Sequence, residues 1–136
     1  MRVFADTNIA VYAQSDDGER SKRARAIIES SPVISTQVVN EVIAALTGKY
    51  AFSRPDAYEV ASGLMDLCEV VPVTRATVRE AMRIAVRYRL SHWDALIVAA
   101  AIEAGCALLY SADMQDNTVF EDRVTVGRLD KALAAF

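Results

Sequence analysis

Short apolar runs alternate along this chain with longer segments of helical pattern, and this alternation constrains the fold more than any other feature. The runs are too short for helices and are therefore predicted to be strands, at residues 4–5, 33–34, 69–71, 107–110 and 124–126. Strands that are separated by helices pair in parallel through right-handed crossovers. The sequence therefore predicts an α/β domain of three layers, in which helices cover both faces of a central parallel sheet of about five strands.

The helical segments are bounded by residues that commonly begin helices. Helices are predicted to start after Ser53, Thr74 and Ser91, and further helices are predicted at residues 20–29 and 36–47. A chain of 136 residues with a hydrophobic content of 53% is expected to form a single domain over residues 1–136.

The chain is expected to be a cytoplasmic protein without a membrane segment. No apolar run reaches the ~20 residues that a membrane span needs, and the first predicted strand leaves no room for a signal peptide. The cysteines, Cys68 and Cys106, both have apolar neighbours and are predicted to be reduced core residues. The net charge of −3 argues against a nucleic-acid partner only weakly, because carboxylates that bind divalent cations present less negative charge to a ligand.

Asp6 follows the first apolar run directly, within the sequence FADTNIAVY. In parallel α/β sheets, ligands bind beyond the carboxyl ends of the strands, where the strand order reverses. An acid that ends a central strand before a loop has little structural purpose. We therefore interpret Asp6 as a residue of a functional site.

Further acids occur where the same crevice can reach them. Glu41 and Asp94 interrupt predicted helices that are otherwise mostly apolar, and Asp113 and Asp116 follow the fourth predicted strand. Several carboxylates in one crevice repel one another, so a cation is needed to hold them together. A set of ligands that contains only oxygen favours Mg²⁺ or Mn²⁺ over zinc.

Each of these acids also has a structural interpretation. Asp94 lies three residues after Ser91 and is suited to a helix capping box. Glu41 is compatible with a half-exposed helix charge, and Asp113 and Asp116 with a polar turn. The residues alone leave both interpretations open.

Three segments of the chain resemble PIN-domain nucleases of the VapC toxin type: ADTNIAVYA, NEV and HWDALIVAAAIEAGCALLYSADMQD. The resemblance extends over essentially the whole chain. It implies an endoribonuclease that depends on Mg²⁺ or Mn²⁺, forms a homodimer and is inhibited by a small VapB-like antitoxin. It also implies in-line attack of a metal-activated water on an RNA phosphodiester, which leaves a 5′-phosphate and a 3′-hydroxyl.

The resemblance also assigns roles to individual residues. It implies a catalytic and metal-binding quartet of acids, namely Asp6, Glu41, Asp94 and Asp113. Asp116 matches a further acid often present at the site and is expected to support the quartet and to contact the metal as well. The polar residues expected to hold the ligands in place are Thr7, Asn8 and Ser111, and Thr7 and Asn8 are expected to orient the carboxylate of Asp6.

The chain departs from this family at three places. Ala112 stands where an acid is common, and Asn117 stands where glycine is usual. The C-terminal segment VGRLDKALAAF lacks an ending of the Asn-Pro-Phe type. The first two departures concern the loop that carries Asp113 and Asp116.

Two other functions are compatible with parts of the sequence. In a phosphatase of the haloacid-dehalogenase type, the acid at the strand end is a nucleophile, but that family has a second aspartate where this chain has Asn8. A PIN-like domain without activity would bind only RNA or protein. Release of inorganic phosphate would identify the first alternative, and absence of any product would identify the second.

Arginines recur at every fourth position of one predicted helix: Arg75, Arg79, Arg83 and Arg87. They are compatible with a solvated face that Glu80 partly neutralises, or with contacts to RNA phosphates or to an acidic partner. A second basic cluster consists of Arg20, Lys22, Arg23 and Arg25.

Overall fold

The computed structural model describes residues 1–130 and contains one six-stranded sheet. The strands are β1 (Val3–Ala5), β2 (Val33–Ser35), β3 (Glu69–Val71), β4 (Leu108–Ser111), β5 (Val119–Phe120) and β6 (Val124–Arg128). Their order in the sheet is β3-β2-β1-β4-β6-β5. All neighbours pair in parallel except β5 and β6, which pair antiparallel.

Helices cover both sides of this sheet, as the α/β pattern predicts. They are α1 (Thr7–Tyr12), α2 (Gly18–Glu29), α3 (Thr36–Thr47), α4 (Arg54–Leu67), α5 (Arg75–Tyr88) and α6 (His92–Glu103). Helix α1 packs against α2 and α3, α3 packs against α4, and α5 packs against α6. The three-layer α/β/α arrangement is therefore confirmed.

The caps predicted from the sequence begin the helices as expected. The hydroxyl oxygens of Ser53 and Ser91 accept hydrogen bonds from the backbone N–H groups of Asp56 and Asp94, at 3.2 and 3.1 Å. Thr74 forms a complete capping box with Thr77. These bonds satisfy backbone donors that the first helical turn leaves unpaired.

Two elements differ from the prediction. The sheet has six strands rather than about five, because Val119 and Phe120 pair with β6 as a short antiparallel strand. Two residues are too few to give a periodic signal in the sequence. The loop expected after Asp6 is instead helix α1, which begins at Thr7 without a linker.

Strand β1 is central, and the strand order reverses between β1 and β4. The chain moves outward from β1 through β2 to β3 and then returns to place β4 on the other side of β1. Phe4 and Leu109, which are aligned on these two strands, are fully buried. The carboxyl ends of β1 and β4 therefore form the edge where the fold is expected to hold a ligand.

Both cysteines are buried and free. Within residues 1–130, no helix has the length and apolar character that a membrane span requires. The last part of the C-terminal segment noted above, residues 131–136, lies outside the described residues.

Candidate metal centre

Asp6 lies at the carboxyl end of β1, where it is 6% exposed and linked to β4. Its backbone N–H donates to Tyr110 O at 3.0 Å, and its Oδ1 accepts from Thr7 N at 2.7 Å. The second bond makes Asp6 the N-cap of α1. The expectation that this acid has little structural purpose is therefore wrong, because its carboxylate also begins a helix.

Burial raises the pKa of Asp6 to about 7. The hydrogen bonds from Thr7 N and from Ser111 lower it, whereas the nearby charges of Asp113 and Asp94 raise it further. No arginine or lysine is among the groups that shift this pKa. A positive charge placed nearby would lower this pKa and favour the ionised carboxylate.

Ser111, at the carboxyl end of β4, links two of the acids. Its fully buried hydroxyl lies 3.0 Å from Asp6 Oδ2 and 3.0 Å from Asp113 Oδ1. The same oxygen accepts from the backbone N–H groups of Asp113 and Met114. A hydroxyl has only one proton, so it can donate fully to one of the two carboxylates at a time. The other carboxylate oxygen therefore has room for a proton or a cation.

Glu41, on α3, is half-buried and held at both oxygens by neutral donors. Thr7 Oγ1 donates to Glu41 Oε1 at 2.7 Å, and Gln37 Nε2 makes a longer contact of 3.4 Å to Glu41 Oε2. The hydroxyl of Thr7 thus contacts Glu41, whereas only the backbone of Thr7 contacts Asp6. Thr7 therefore orients the Asp6 carboxylate through its backbone N–H, and its side chain orients Glu41.

Gln37 is a residue of this site that the sequence interpretation missed. Besides Glu41, its Nε2 donates to Trp93 O at 3.1 Å, which ties α3 to the first turn of α6 beside Asp94. The available signal was its position one helical turn before Glu41. A polar residue at that spacing from an acid is an appropriate partner for it.

Asn8 contacts the loop after β4 rather than the carboxylate of Asp6. Its Oδ1 accepts from Ala112 N at 3.1 Å, so it fixes the backbone between Ser111 and Asp113. In the same loop, Asn117 has φ of 63°, a left-handed conformation that asparagine tolerates better than most residues. The asparagine that replaces the usual glycine is thus compatible with the loop.

Asp94, in the first turn of α6, is half-buried. Its pKa is raised, first by burial, then by the charge of Asp113 and, more weakly, by that of Glu41, whereas a hydrogen bond with Ser91 lowers it. Asp94 therefore combines a capping contact with a position among the other acids. Residues 95–101, which follow it, are all buried and fix α6 in the core.

Asp113 and Asp116 occupy different positions in the loop after β4. Asp113 is exposed and bonded to Ser111. Asp116 is half-buried, and its Oδ1 accepts from Arg128 N at 2.9 Å, which joins the loop to the end of β6. One of its carboxylate oxygens is thus engaged by the backbone.

The quartet comes from four segments of the chain: Asp6 after β1, Glu41 from α3, Asp94 from α6 and Asp113 after β4. Asp6 and Asp94 each feel the charge of Asp113, and Asp94 also feels that of Glu41. Within residues 1–130, however, no three acids, histidines or cysteines already lie close enough together to hold a metal ion.

The chemistry of these donors nevertheless fits a hard divalent cation. The ligand atoms are carboxylate oxygens, their partners are neutral, and Ser111 leaves one carboxylate oxygen without a full donor. Oxygen ligands of this kind suit Mg²⁺ or Mn²⁺. Asp6, Glu41, Asp94 and Asp113 are the residues that would hold it.

The arginines of α5 are divided between two surroundings. Arg83 pairs with Glu80 and Glu121, and Arg87 pairs with Glu121. Arg75 and Arg79 lie on the exposed face of the helix, beside the exposed apolar side chains Val78, Met82 and Val86. Half of the stripe thus stabilises the protein itself, and the other half belongs to a mixed basic and apolar surface.

The structure is an α/β domain with acids at the carboxyl ends of its central parallel strands β1 and β4. The sequence model of the PIN domain matches residues 3–117, and this chain belongs to the PIN domain family. No sequence among the curated proteins matches it.

Several solved structures share the fold. A toxin–antitoxin complex from Klebsiella pneumoniae has 21% identity and a TM-score of 0.69, over 92% of this chain and 97% of the other. DNA-bound VapBC from Salmonella typhimurium has 14% identity and a TM-score of 0.71, over 95% and 98%. VapC20 of Mycobacterium tuberculosis, a toxin that cleaves the sarcin-ricin loop, has 20% identity and a TM-score of 0.60, over 79% and 86%. At these identities, the similarity concerns the fold.

Proposed function

We propose that this PIN domain is an endoribonuclease of the VapC toxin type that depends on Mg²⁺ or Mn²⁺. The observation that carries the proposal is the acid cluster itself. Asp6 and Asp94 each feel the charge of Asp113, Asp94 also feels that of Glu41, and the contacts that orient Asp6 and Glu41 are neutral hydrogen bonds. A PIN fold shared with toxin structures supports the same function.

The protein side chains would bind and orient rather than attack. A bound divalent cation supplies the Lewis acidity that activates a water and stabilises the leaving oxygen in phosphodiester hydrolysis. Asp6 and Asp113 share the Ser111 hydroxyl, which fixes the relative orientation of these two acids. Thr7 and Gln37 hold Glu41, and Gln37 also fixes the α6 backbone beside Asp94.

The direct test is incubation of purified protein with RNA in the presence and absence of Mg²⁺ or Mn²⁺. The proposal expects metal-dependent fragments that carry a 5′-phosphate and a 3′-hydroxyl. Release of inorganic phosphate from phosphomonoesters, with intact RNA, would favour the phosphatase alternative, in which Asp6 is a nucleophile. Binding of RNA without any product would favour the inactive binding domain.

The proposal includes protein partners, namely a second copy of this chain and a small VapB-like antitoxin. Two structures that share this fold, from Klebsiella pneumoniae and Salmonella typhimurium, are a toxin–antitoxin complex and DNA-bound VapBC. Here, the exposed residues Val78, Met82 and Val86 give α5 an apolar surface, which supports a protein contact more than an RNA contact. Light scattering of wild type and Val86→Asp tests the homodimer, which the substitution is expected to weaken. The proposal also treats residues 1–136 as a single domain. It places the protein in the cytoplasm, together with its RNA substrate.

A further inference from the structure

A basic pocket lies beside the acid cluster, and the interactions described above involve none of its arginine side chains. Its volume is about 200 Å³. Tyr12 from α1, Arg20 and Arg23 from α2, and Arg128 from the end of β6 contribute to its walls. Ala112, which lies between Ser111 and Asp113, also lines it. The pocket therefore adjoins the loop that carries one of the quartet acids.

Two arginines of this pocket have donors that residues 1–130 do not satisfy. The Nε atoms of Arg23 and Arg128 are buried, and neither has a hydrogen-bond partner among the described residues. Arg23 uses Nη1 to donate to Asp130 O, and Arg128 Nε lies 3.5 Å from Asp130 Oδ1, an ion-pair distance without hydrogen-bond geometry. A buried charged donor without an acceptor is costly, so an anionic acceptor in this pocket would stabilise both side chains.

The remaining wall combines an aromatic ring with a guanidinium group. The guanidinium carbon of Arg20 lies 4.1 Å from the centre of the Tyr12 ring, and Arg20 also pairs with Asp17. Asp17 and Asp130 neutralise only part of the charge of the three arginines. Positive grooves that include aromatic rings are typical of sites for single-stranded nucleic acid.

We propose that this pocket binds a phosphodiester of single-stranded RNA that neighbours the phosphodiester to be cleaved. This inference rests on the nuclease function proposed above. An RNA strand at the acid cluster brings its flanking phosphates close to carboxylates, which repel them, and the adjoining pocket supplies positive charge and unpaired donors. RNA is favoured over an acidic protein because the pocket adjoins the acid cluster, whereas the exposed apolar residues named above lie on α5.

The test measures RNA affinity in an Asp94→Asn background, in which cleavage is expected to be suppressed. One double variant, Arg23→Gln/Arg128→Gln, changes the pocket. The control double variant, Arg75→Gln/Arg79→Gln, removes the same charge from α5. We expect the pocket pair to weaken binding of a short single-stranded RNA roughly tenfold, since hydrogen bonds to charged groups are the stronger ones. The salt dependence, log K against log salt, should become shallower by about 0.7 for each lost contact. The α5 pair should change neither quantity.

The same pairs are then placed in the otherwise wild-type protein. The pocket pair should raise KM for RNA and leave kcat nearly unchanged, because a contact to a flanking phosphate binds substrate and transition state equally. Arg23→Lys with Arg128→Lys serves as a second variant, which keeps the charge and loses the planar fork of donors. It should keep the salt dependence and lose part of the affinity. Circular dichroism measures whether each variant is folded. If the Gln pair is unfolded, the Lys pair decides the test.

Unchanged RNA affinity and unchanged KM in the folded pocket variants would overturn the inference, with the proposed nuclease function intact. Loss of binding to a polyglutamate peptide, with RNA affinity unchanged, would also overturn it and assign the pocket to a protein carboxylate. A wild-type protein that neither binds nor cleaves RNA would instead overturn the proposed function itself.

Discussion

Two carboxylates of this protein, Asp6 and Glu121, are surrounded in opposite ways. Glu121 lies just before β6 and is contacted by Arg83, Arg87 and the hydroxyl of Tyr88. Hydrogen bonds from Arg83 and from Tyr88 lower its pKa. Asp6 lies after β1, at the opposite edge of the parallel sheet, where only neutral donors contact it and its pKa is raised to about 7.

The difference shows that a carboxylate can stabilise the fold at one position and be available to bind a ligand at another. The ion pairs of Glu121 hold a turn in which Glu121 and Asp122 both have left-handed backbone conformations, with φ of 54° and 53°. The negative charge of Glu121 is thereby already compensated. Asp6 is positioned but not compensated, so its negative charge remains available for a cation.

The largest effect on activity is expected from removing the charge of Asp6 or Asp94. Asp6→Asn and Asp94→Asn should each reduce RNA cleavage by more than about 100-fold, since even partners of metal ligands contribute 10–100-fold. Asparagine is a good N-cap, so α1 should persist in Asp6→Asn. Without metal, both variants should be at least as stable as wild type, because burial and like-charge repulsion no longer oppose a charge.

Cleavage rates and urea unfolding measure these outcomes, with Asp66→Asn on the exposed side of α4 as a control that should change neither. Loss of stability in Asp94→Asn, together with retained cleavage by the folded fraction, would show that Asp94 is a helix-capping residue and not a site residue.

A smaller loss of activity is expected when the neutral donors are removed. Thr7→Val deletes the 2.7 Å hydrogen bond to Glu41 with little change in shape and should reduce cleavage by roughly 10–100-fold. Gln37→Ala should have a weaker effect, since its contact with Glu41 is 3.4 Å long. Thr47→Val, on the same helix α3 as Glu41, is the matched control. Equal cleavage by wild type and Thr7→Val would show that Glu41 does not need this orientation.

The raised pKa of Asp6 predicts how stability depends on pH in metal-free protein. Between 3.8, the ordinary value, and about 7, folded Asp6 keeps a proton that the unfolded chain has lost. The free energy of unfolding should therefore fall as the pH rises through this window, and Asp6→Asn should remove that part of the slope. Urea unfolding in EDTA from about pH 5 to about pH 8 measures it. Identical slopes in the two proteins would contradict the uncompensated state of Asp6.

Glu121→Gln should leave RNA cleavage unchanged. It should lower the midpoint of thermal unfolding. The substitution deprives Arg83 and Arg87 of their shared partner and weakens the hold on the turn. Asp122→Asn, at the neighbouring exposed position, should leave the midpoint nearly unchanged. Reduced cleavage by folded Glu121→Gln would show that the two edges of the sheet are coupled.

Much of the fold was predictable because local signals and tertiary structure agree. The short apolar runs located five strands. Helical patterns located most helices, three of them with caps, at Ser53, Thr74 and Ser91. Strand β5 was not predictable, since its two residues are defined only by pairing with β6. Helix α1 was missed because its N-cap is Asp6. An acid directly after an apolar run is equally typical of a strand that ends before a loop.

The candidate site was less predictable than the fold. The positions of the acids follow from the strand ends and the helix faces, but their partners depend on contacts between distant segments. The side chain of Thr7 bonds to Glu41, whereas only its backbone bonds to Asp6, and Asn8 bonds to the loop of Ala112. The contribution of Arg128 to the basic pocket depends on the end of β6 lying near α2. Nothing local in the sequence indicates these pairings.

The metal requirement of RNA cleavage shows whether the acids of this site serve a divalent cation. Protein dialysed against EDTA should be folded and inactive, and Mg²⁺ or Mn²⁺ should restore cleavage to wild type but not to Asp6→Asn. The same cations should raise the thermal midpoint of wild type more than that of Asp6→Asn, because they bind the folded state through the acids. Robust cleavage of RNA by folded, metal-free protein would contradict the claim that the uncompensated acids serve a divalent cation.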